Sequence, residues 1–247
     1  MRLERIFLTI GMFSLAAPSA GLAGANLVSN GNFATTSYSA NNEFGSGWTQ
    51  TTPQGVTGWT GNGGYNIFFF NGTATTVSAN SQYASGKEML WATSGFTGSS
   101  PHNYNFVALD GEQTAGVQGS ISQTVNGLVA GQTYSLTFEW AAGQLQSRNV
   151  AVSTTEQLQV SVGSETQTTN VLTNPANSFT GWYNAAMTFT ATASSEVLNF
   201  LSVGTPSGDP PMALLTNVSL TKVPEPATLA VFGVGMAGIA GARLRRR

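Results

Sequence analysis

Apolar and polar residues alternate with a period of two along several stretches of this chain, and between Asn26 and Val223 no stretch keeps a helical period over three turns. The clearest strand runs from Gln132 to Trp140. There Tyr134, Leu136, Phe138 and Trp140 form one apolar face and Ser135, Thr137 and Glu139 the other, which assigns Glu139 to solvent. Ser120–Val125, Leu158–Val162 and Met187–Ala191 alternate in the same way, while Val197–Val203 is more continuously apolar. In the last strand, Leu214–Thr221, the alternation places Leu214, Val218 and Leu220 inward with Thr216. Two shorter apolar runs, Ile67–Phe70 and Phe106–Leu109, suit buried strands. Asn71–Gly86 and Thr93–Asn103 are rich in Ser, Thr, Gly and Asn and read as long loops. Asn126-Gly127 and Ala130-Gly131 supply turn chemistry. Many short strands with Gly-rich connections predict an all-β protein: an antiparallel two-sheet jelly-roll sandwich, its core containing Tyr134, Leu136, Phe138, Trp140, Phe189, Phe200, Val218 and Leu220.

The two ends break this pattern. Arg2 and Arg5 precede an apolar stretch from Ile6 to Ala17, Pro18 ends it, and Ala23-Gly24-Ala25 provides the small residues a signal peptidase requires. Residues 1–25 therefore read as a signal helix cleaved after Ala25, with cleavage after Ala23 the near alternative. At the other end Pro224-Glu225-Pro226 is followed by an uncharged stretch from Ala227 to Ala242 and then by Arg243, Arg245, Arg246 and Arg247. At about 1.5 Å rise per residue that stretch makes a short transmembrane helix, and the arginines hold its end on the cytoplasmic side. Motif, apolar span and basic end, in this order over residues 224–247, resemble the PEP-CTERM sorting signal of Gram-negative bacteria. The resemblance implies cutting near the motif by a membrane protease, exosortase, and a final place on the cell surface or in the extracellular matrix. An ordinary single-span tail anchor predicts the same topology without processing.

Between the two ends, residues 26–223 suit one domain of 198 residues, large enough to bury its own core. No cysteine is present, so this exported domain stands without disulfides. Its three cations, Lys87, Arg148 and Lys222, face nine acids, a net charge of −6. Such a surface excludes nucleic acid, which needs a basic stripe, and docking on anionic lipid, so that contact with a membrane is left to the tail alone. A hydrophobic fraction of 41% and an aromatic fraction of 10% exclude a disordered polymer.

Several segments of the domain resemble a galactose-binding-like jelly-roll family known from plant cell-wall proteins, also found in bacteria as a domain of unknown function. Asn26–Phe33 matches its opening strand, and Gly58-Trp59 before Gly63-Gly64 the next landmark. Val107–Gly111, Ile121–Val125 and Gly131–Tyr134 match its centre, and Asn217–Leu220 its closing strand. The chain departs from the family at two acids: Ala34 follows the opening Phe, and Leu215-Thr216-Asn217 replaces a Leu-Asp sequence. No role for those acids carries over.

Candidate chemistry is sparse. His102 is the single histidine, and no Gly-x-Ser-x-Gly elbow surrounds any serine, so a nucleophilic triad has little to stand on. Asp110 and Glu112, two apart at a strand end, are a carboxyl pair of the kind a glycosidase needs, but the turn around Gly111 makes such a pair a coincidence of a loop more often than a site. No cofactor is expected. Structural calcium would draw on Glu43, Asp110, Glu112 and Asp209, although no acidic loop of calcium-binding spacing occurs, and transition-metal ligands are nearly absent. Aromatics in Gly/Ser/Asn-rich segments offer more, because sugars stack on planar rings while amides hydrogen-bond their hydroxyls. Trp48, Trp91, Tyr104, Trp182 and Tyr183 are so placed, whereas Trp59 and Trp140 read as core. The carbohydrate platform expected from these is Trp48, Trp91, His102 and Tyr104. The sequence thus favours a non-catalytic surface or matrix protein that binds polysaccharide, over a structural or adhesive matrix component without a defined ligand and over a polysaccharide hydrolase.

Overall fold

A computed structural model describes residues 24–45, 55–77, 79, 88–92, 95–114, 117–146, 152–208 and 210–224. The signal helix, Trp48, Asp209, Glu225, Pro226 and the apolar span of the tail lie outside the described residues. Among the described residues no helix is long and apolar enough to cross a membrane.

Gly24–Val223 forms one compact unit. Its strands are β1 (Asn42–Glu43), β2 (Thr60–Gly61), β3 (Asn66–Phe69), β4 (Phe106–Asp110), β5 (Ser120–Asn126) and β6 (Thr133–Gln144), followed by β7 (Thr154–Val162), β8 (Glu165–Thr168), β9 (Leu172–Asn174), β10 (Tyr183–Thr190), β11 (Ser195–Thr205) and β12 (Pro211–Lys222). They pair antiparallel into two sheets, a jelly-roll sandwich. The first sheet runs β1-β3-β4-β12-β6-β10; the second runs β2-β5-β11-β7-β8, with β9 also on β7. All eight core residues expected from the alternation lie in the main apolar cluster between the sheets. Phe138 and Phe200 meet there edge to face at 5.2 Å.

Four features depart from the alternation. The first is Leu214, which does not share a face with Val218 and Leu220. A β-bulge between Thr216 and Ser219, with Asn217 in the left-handed region at φ 52°, reverses the side-chain parity. Leu214 therefore packs outside the first sheet, while Leu215, Val218 and Leu220 face the main core. The second is β11, which is no continuously buried strand. It alternates, and Val197 is 49% exposed, because the outer face of the second sheet is open to water. Third, the opening segment Asn26–Phe33 is not a regular strand but an irregular one lying against β12, with Leu27 N–H donating to Leu220 O. Fourth, β1, β2, β8 and β9 are too short to show a period.

The connection after β3 has a role that its composition hides. Its Ala74, Leu90 and Phe96, with Phe179 from the loop before β10, build a second apolar cluster on the outer face of the first sheet. That is why β3 and β4 are buried on both faces. The cover reaches β6 at Glu139. Although Glu139 points outward, its side chain is only 7% exposed, which corrects its assignment to solvent. Beyond Glu139 the outer face of β10, β6 and β12 is uncovered.

Candidate functional site

Clefts indent the described surface on both sheets. The one on the second sheet, about 480 Å³, is floored by Trp59 and Gln123. Both side chains are committed to the fold. Trp59 Nε1–H donates to Asn30 O, and Gln123 accepts from Ser29 N–H while donating to Ser29 O and Gly58 O.

The other cleft, about 420 Å³, lies at the boundary of the cover on the first sheet and is aromatic. Phe96 and Phe179 stack at 3.9 Å and 18°, and Trp182 stands edge-on to Phe179 at 6.1 Å. Trp182 is half-buried, held by its Nε1–H donating to Ser99 O and by an edge contact with Phe106. Thr97, Ser99 and Ser100 bring hydroxyls to the rim. Apolar rings below and hydroxyls around suit an amphipathic ligand with flat C–H faces.

Pro101 forms the rim of this cleft and leads directly to His102. The Pro101–Asn103 turn places His102 and Asn103 both at φ 59°, a left-handed conformation that Asn and His adopt more readily than most residues other than glycine. It is held by Ser100 Oγ donating to Tyr104 O at 2.6 Å and by Ser100 N–H donating to Asn71 Oδ1. Asn105, just beyond, donates to Phe33 O and accepts from Thr216 Oγ1 through its carbonyl, fastening the turn to the opening segment and to β12. His102 is thereby brought over the sheet, its Nε2 3.3 Å from Glu139 Oε1, while its ring, 59% exposed, lies 5.6 Å from that of Tyr104. Glu139 Oε2 has no hydrogen-bond partner among the described residues. Asn184, exposed on β10, pairs with Glu139 in register and extends the site across the strand.

Of the four expected platform residues, His102 and Tyr104 are neighbours. Trp91 is elsewhere: its N–H donates to Gln144 O, five residues along β6 from Glu139, or about 17 Å. Trp48 lies outside the described residues. Trp182 is the ring that joins the pair instead. Its place beside a Gly-rich turn flagged it, but only the packing of Phe96 and Phe179 shows which side of the sheet it faces. Trp59 and Trp140 are core, as expected. The carboxylates considered for calcium have other surroundings. Glu43 and Asp110 are buried, Asp110 Oδ1 accepts from Glu112 N–H, and Glu112 Oε1 accepts from Thr114 Oγ1. No group of three or more His, Asp or Glu converges among the described residues.

Residues 26–218 match the family described as a protein of unknown function, DUF642. The chain belongs to the DUF642 family. Residues 222–247 match the PEP-CTERM protein-sorting motif, so this DUF642 protein is an exported, surface-directed one. Among curated protein sequences none is similar to it. Among solved structures it is similar to TmCBM61 in complex with β-1,4-galactotriose, at 14% identity over 81% of this chain and 99% of that one, TM-score 0.42. It is also similar to the CBM22-1 xylan-binding domain from Paenibacillus barcinonensis Xyn10C, at 14% identity over 85% and 99%, TM-score 0.36. A third is arabinose-bound MgGH51 α-L-arabinofuranosidase, at 10% identity over 83% of this chain and 27% of that one, TM-score 0.42.

The landmarks this chain shares with its family have physical reasons. Asn30 adopts φ 51° and its side chain bonds Thr35 N–H, Thr35 O and Thr57 O, shaping the opening turn. Gly31 touches β12 so closely that a Cβ there would lie 1.9 Å from Val218 O. Asn217 of the closing segment sits in the bulge. These residues build the scaffold and not the cleft.

Proposed function

We propose that this DUF642 protein is a non-catalytic, cell-surface or matrix protein that binds polysaccharide through the cleft of Trp182 and the adjoining His102–Tyr104 pair. The observation that carries this is the aromatic floor of Phe96, Phe179 and Trp182, rimmed by hydroxyls and followed by Asn184, the exposed His102 and the half-buried Tyr104. Sugar rings stack through their C–H faces on Trp and Tyr, and amide and hydroxyl groups set their orientation. Signal peptidase and exosortase are its processing partners, acting at Ala25 and near Pro224-Glu225-Pro226. No metal is assigned to the site.

Binding of the mature protein to immobilised polysaccharides, followed by titration calorimetry, tests this reading. A Trp182→Ala variant loses binding at least about tenfold, whereas Trp91→Ala, outside the cleft, keeps it within about twofold. Equal binding by wild type and Trp182→Ala would assign the aromatics to packing and leave a structural matrix component.

A further inference from the structure

The uncovered half of the first sheet continues the cleft in one direction. Register across β10, β6 and β12 sets outward side chains in rows. The first row is Asn184, Glu139 and Thr216, of which Asn184 alone is exposed and the other two lie under the cover; the next is Ala186, Thr137 and Ser219. Thr188, Ser135 and Thr221 follow, and Thr190 with Thr133 ends the face. Rows repeat about every 6.8 Å and strands about every 4.8 Å, so from Trp182 to Thr190 the face runs about 27 Å.

Three properties distinguish this surface from an ordinary solvated one. Beyond the first row, none of the outward side chains of β10, β6 and β12 is ionisable, although solvent faces and edge strands normally carry charge. A carboxylate outside these rows, Glu165 of β8, accepts from Thr190 N–H at the far end of the β10 edge. Apart from the Ala186 methyl, the surface's groups there are hydroxyls, each able to donate and to accept. It also depends on the bulge at Asn217: without the parity change, Val218 and Leu220 would point outward in place of Ser219 and Thr221. Its one carboxylate, Glu139, only accepts hydrogen bonds when ionised, and Lys222 is the sole cation of the domain among the described residues. A carboxylated or sulfated polymer would meet a domain of net charge −6 and, among the described residues, no lysine or arginine in these rows.

We infer that the ligand is an uncharged polysaccharide held along its length, one sugar stacked at Trp182 and the following sugars lying across Asn184 and the hydroxyl rows of β10, β6 and β12. This rests on the polysaccharide reading above and adds to it the charge class of the polymer and a path that takes chain interiors. The open rows present no wall to a chain end.

Calorimetric titration of the mature protein, purified from its secreting host, tests it. The probes are gluco-, galacto-, xylo- and manno-oligosaccharides from disaccharide to octasaccharide, with oligogalacturonides as the anionic series. For at least one neutral series, affinity rises about tenfold or more between disaccharide and hexasaccharide, and oligogalacturonides bind more weakly at every length. Thr137→Lys with Thr188→Lys, whose exposed positions leave the fold intact by circular dichroism, removes the gain with length but preserves disaccharide binding. Trp182→Ala lowers affinity at all lengths. Affinity independent of length, a preference for oligogalacturonides, or an unchanged length gain in the double lysine variant overturns the extended neutral path while leaving the cleft. Absence of binding to every probe, by wild type and variants alike, removes the polysaccharide reading itself.

Discussion

Glu156 shows how a single residue's setting can outweigh its chemical type. On β7 it alternates inward with Leu158, Val160 and Val162, so its carboxyl enters the space between the sheets, where it is fully buried. Thr154 Oγ1 donates to Glu156 Oε1, and Gln144 Nε2 donates in turn to Thr154 Oγ1, while Oε2 has no partner among the described residues. Burial pushes the carboxyl up to about 8, only partly opposed by the Thr154 hydrogen bond. Between pH 4.5 and 8 the folded protein keeps a proton here that the unfolded chain releases. The stabilisation is therefore complete below pH 4.5 and is lost as pH rises towards 8. Across that window wild type loses roughly 2–5 kcal/mol from this group alone. Glu156→Gln, which keeps an acceptor for Thr154, does not share the loss. Its melting temperature relative to wild type rises from pH 4.5 to pH 8; a constant difference would show that Glu156 stays ionised. Gln123 is the contrasting case. It also occupies a core-facing position in an apolar strand, yet both of its polar ends are met by Ser29 and Gly58, so it staples the opening segment to β5 at no electrostatic cost.

Among the elements, β12 decides most. Its first half places Leu214 and Met212 under the loop cover, its second half places Val218 and Leu220 in the main core, and the bulge allows both. Thr216, buried beside the bulge, donates to Asn105 O and so links it to the turn that carries His102. A β-branched residue resists the left-handed backbone that Asn217 adopts at φ 52°, whereas glycine accepts it. Asn217→Val is expected to destabilise the fold by about 1–2 kcal/mol and Asn217→Gly by less than about 0.5 kcal/mol in denaturant titrations. Equal costs would mean that the bulge relaxes to another geometry. This element also shows why alternation misplaced one residue. Leu214, Thr216, Val218 and Leu220 keep perfect spacing in the sequence, and no local composition announces the extra residue that separates them. Asn is a tolerated left-handed residue, but it is also common in turns and loops.

On the scale of the whole molecule, both ends of the domain meet at one edge. Asn26 Oδ1 accepts from Val28 N–H and Leu220 N–H, and Val223 N–H donates to Thr133 O. These hydrogen bonds reach from Asn26, the residue that cleavage after Ala25 would expose, to Val223, just before Pro224-Glu225-Pro226. Removal of residues 1–25 and of the span after Ala227 costs the domain none of these hydrogen bonds. The intact mass of protein from its native host is expected to show both losses. A C-terminus still ending at Arg247 would leave an uncut anchor in place of exosortase processing. The binding rows begin near this edge at Thr133 and end at the cleft beside Thr180, whose N–H donates to Ala142 O. Nine residues of β6 separate Thr133 from Ala142, so the cleft is about 30 Å from the tethered end.

Period-two patterning alone determined the fold class, the long strands and the main core, because alternation records which side chains must leave water. The ordered motifs at both ends likewise marked export, since processing enzymes read short linear chemistry. Tertiary structure alone brings together the residues of the proposed binding surface. Glu139 alternates like any solvent-facing residue, yet a loop more than thirty positions earlier covers it, and His102 reaches it only because the Pro101–Asn103 turn is tied to Asn71, Asn105 and Thr216. Trp91 and Trp182 have similar local surroundings in the sequence, but the stacking of Phe96 on Phe179 joins Trp182 to the cleft, whereas Trp91 is held at Gln144 and does not line it. Such pairings depend on contacts between distant segments, which local hydrophobic periodicity does not encode.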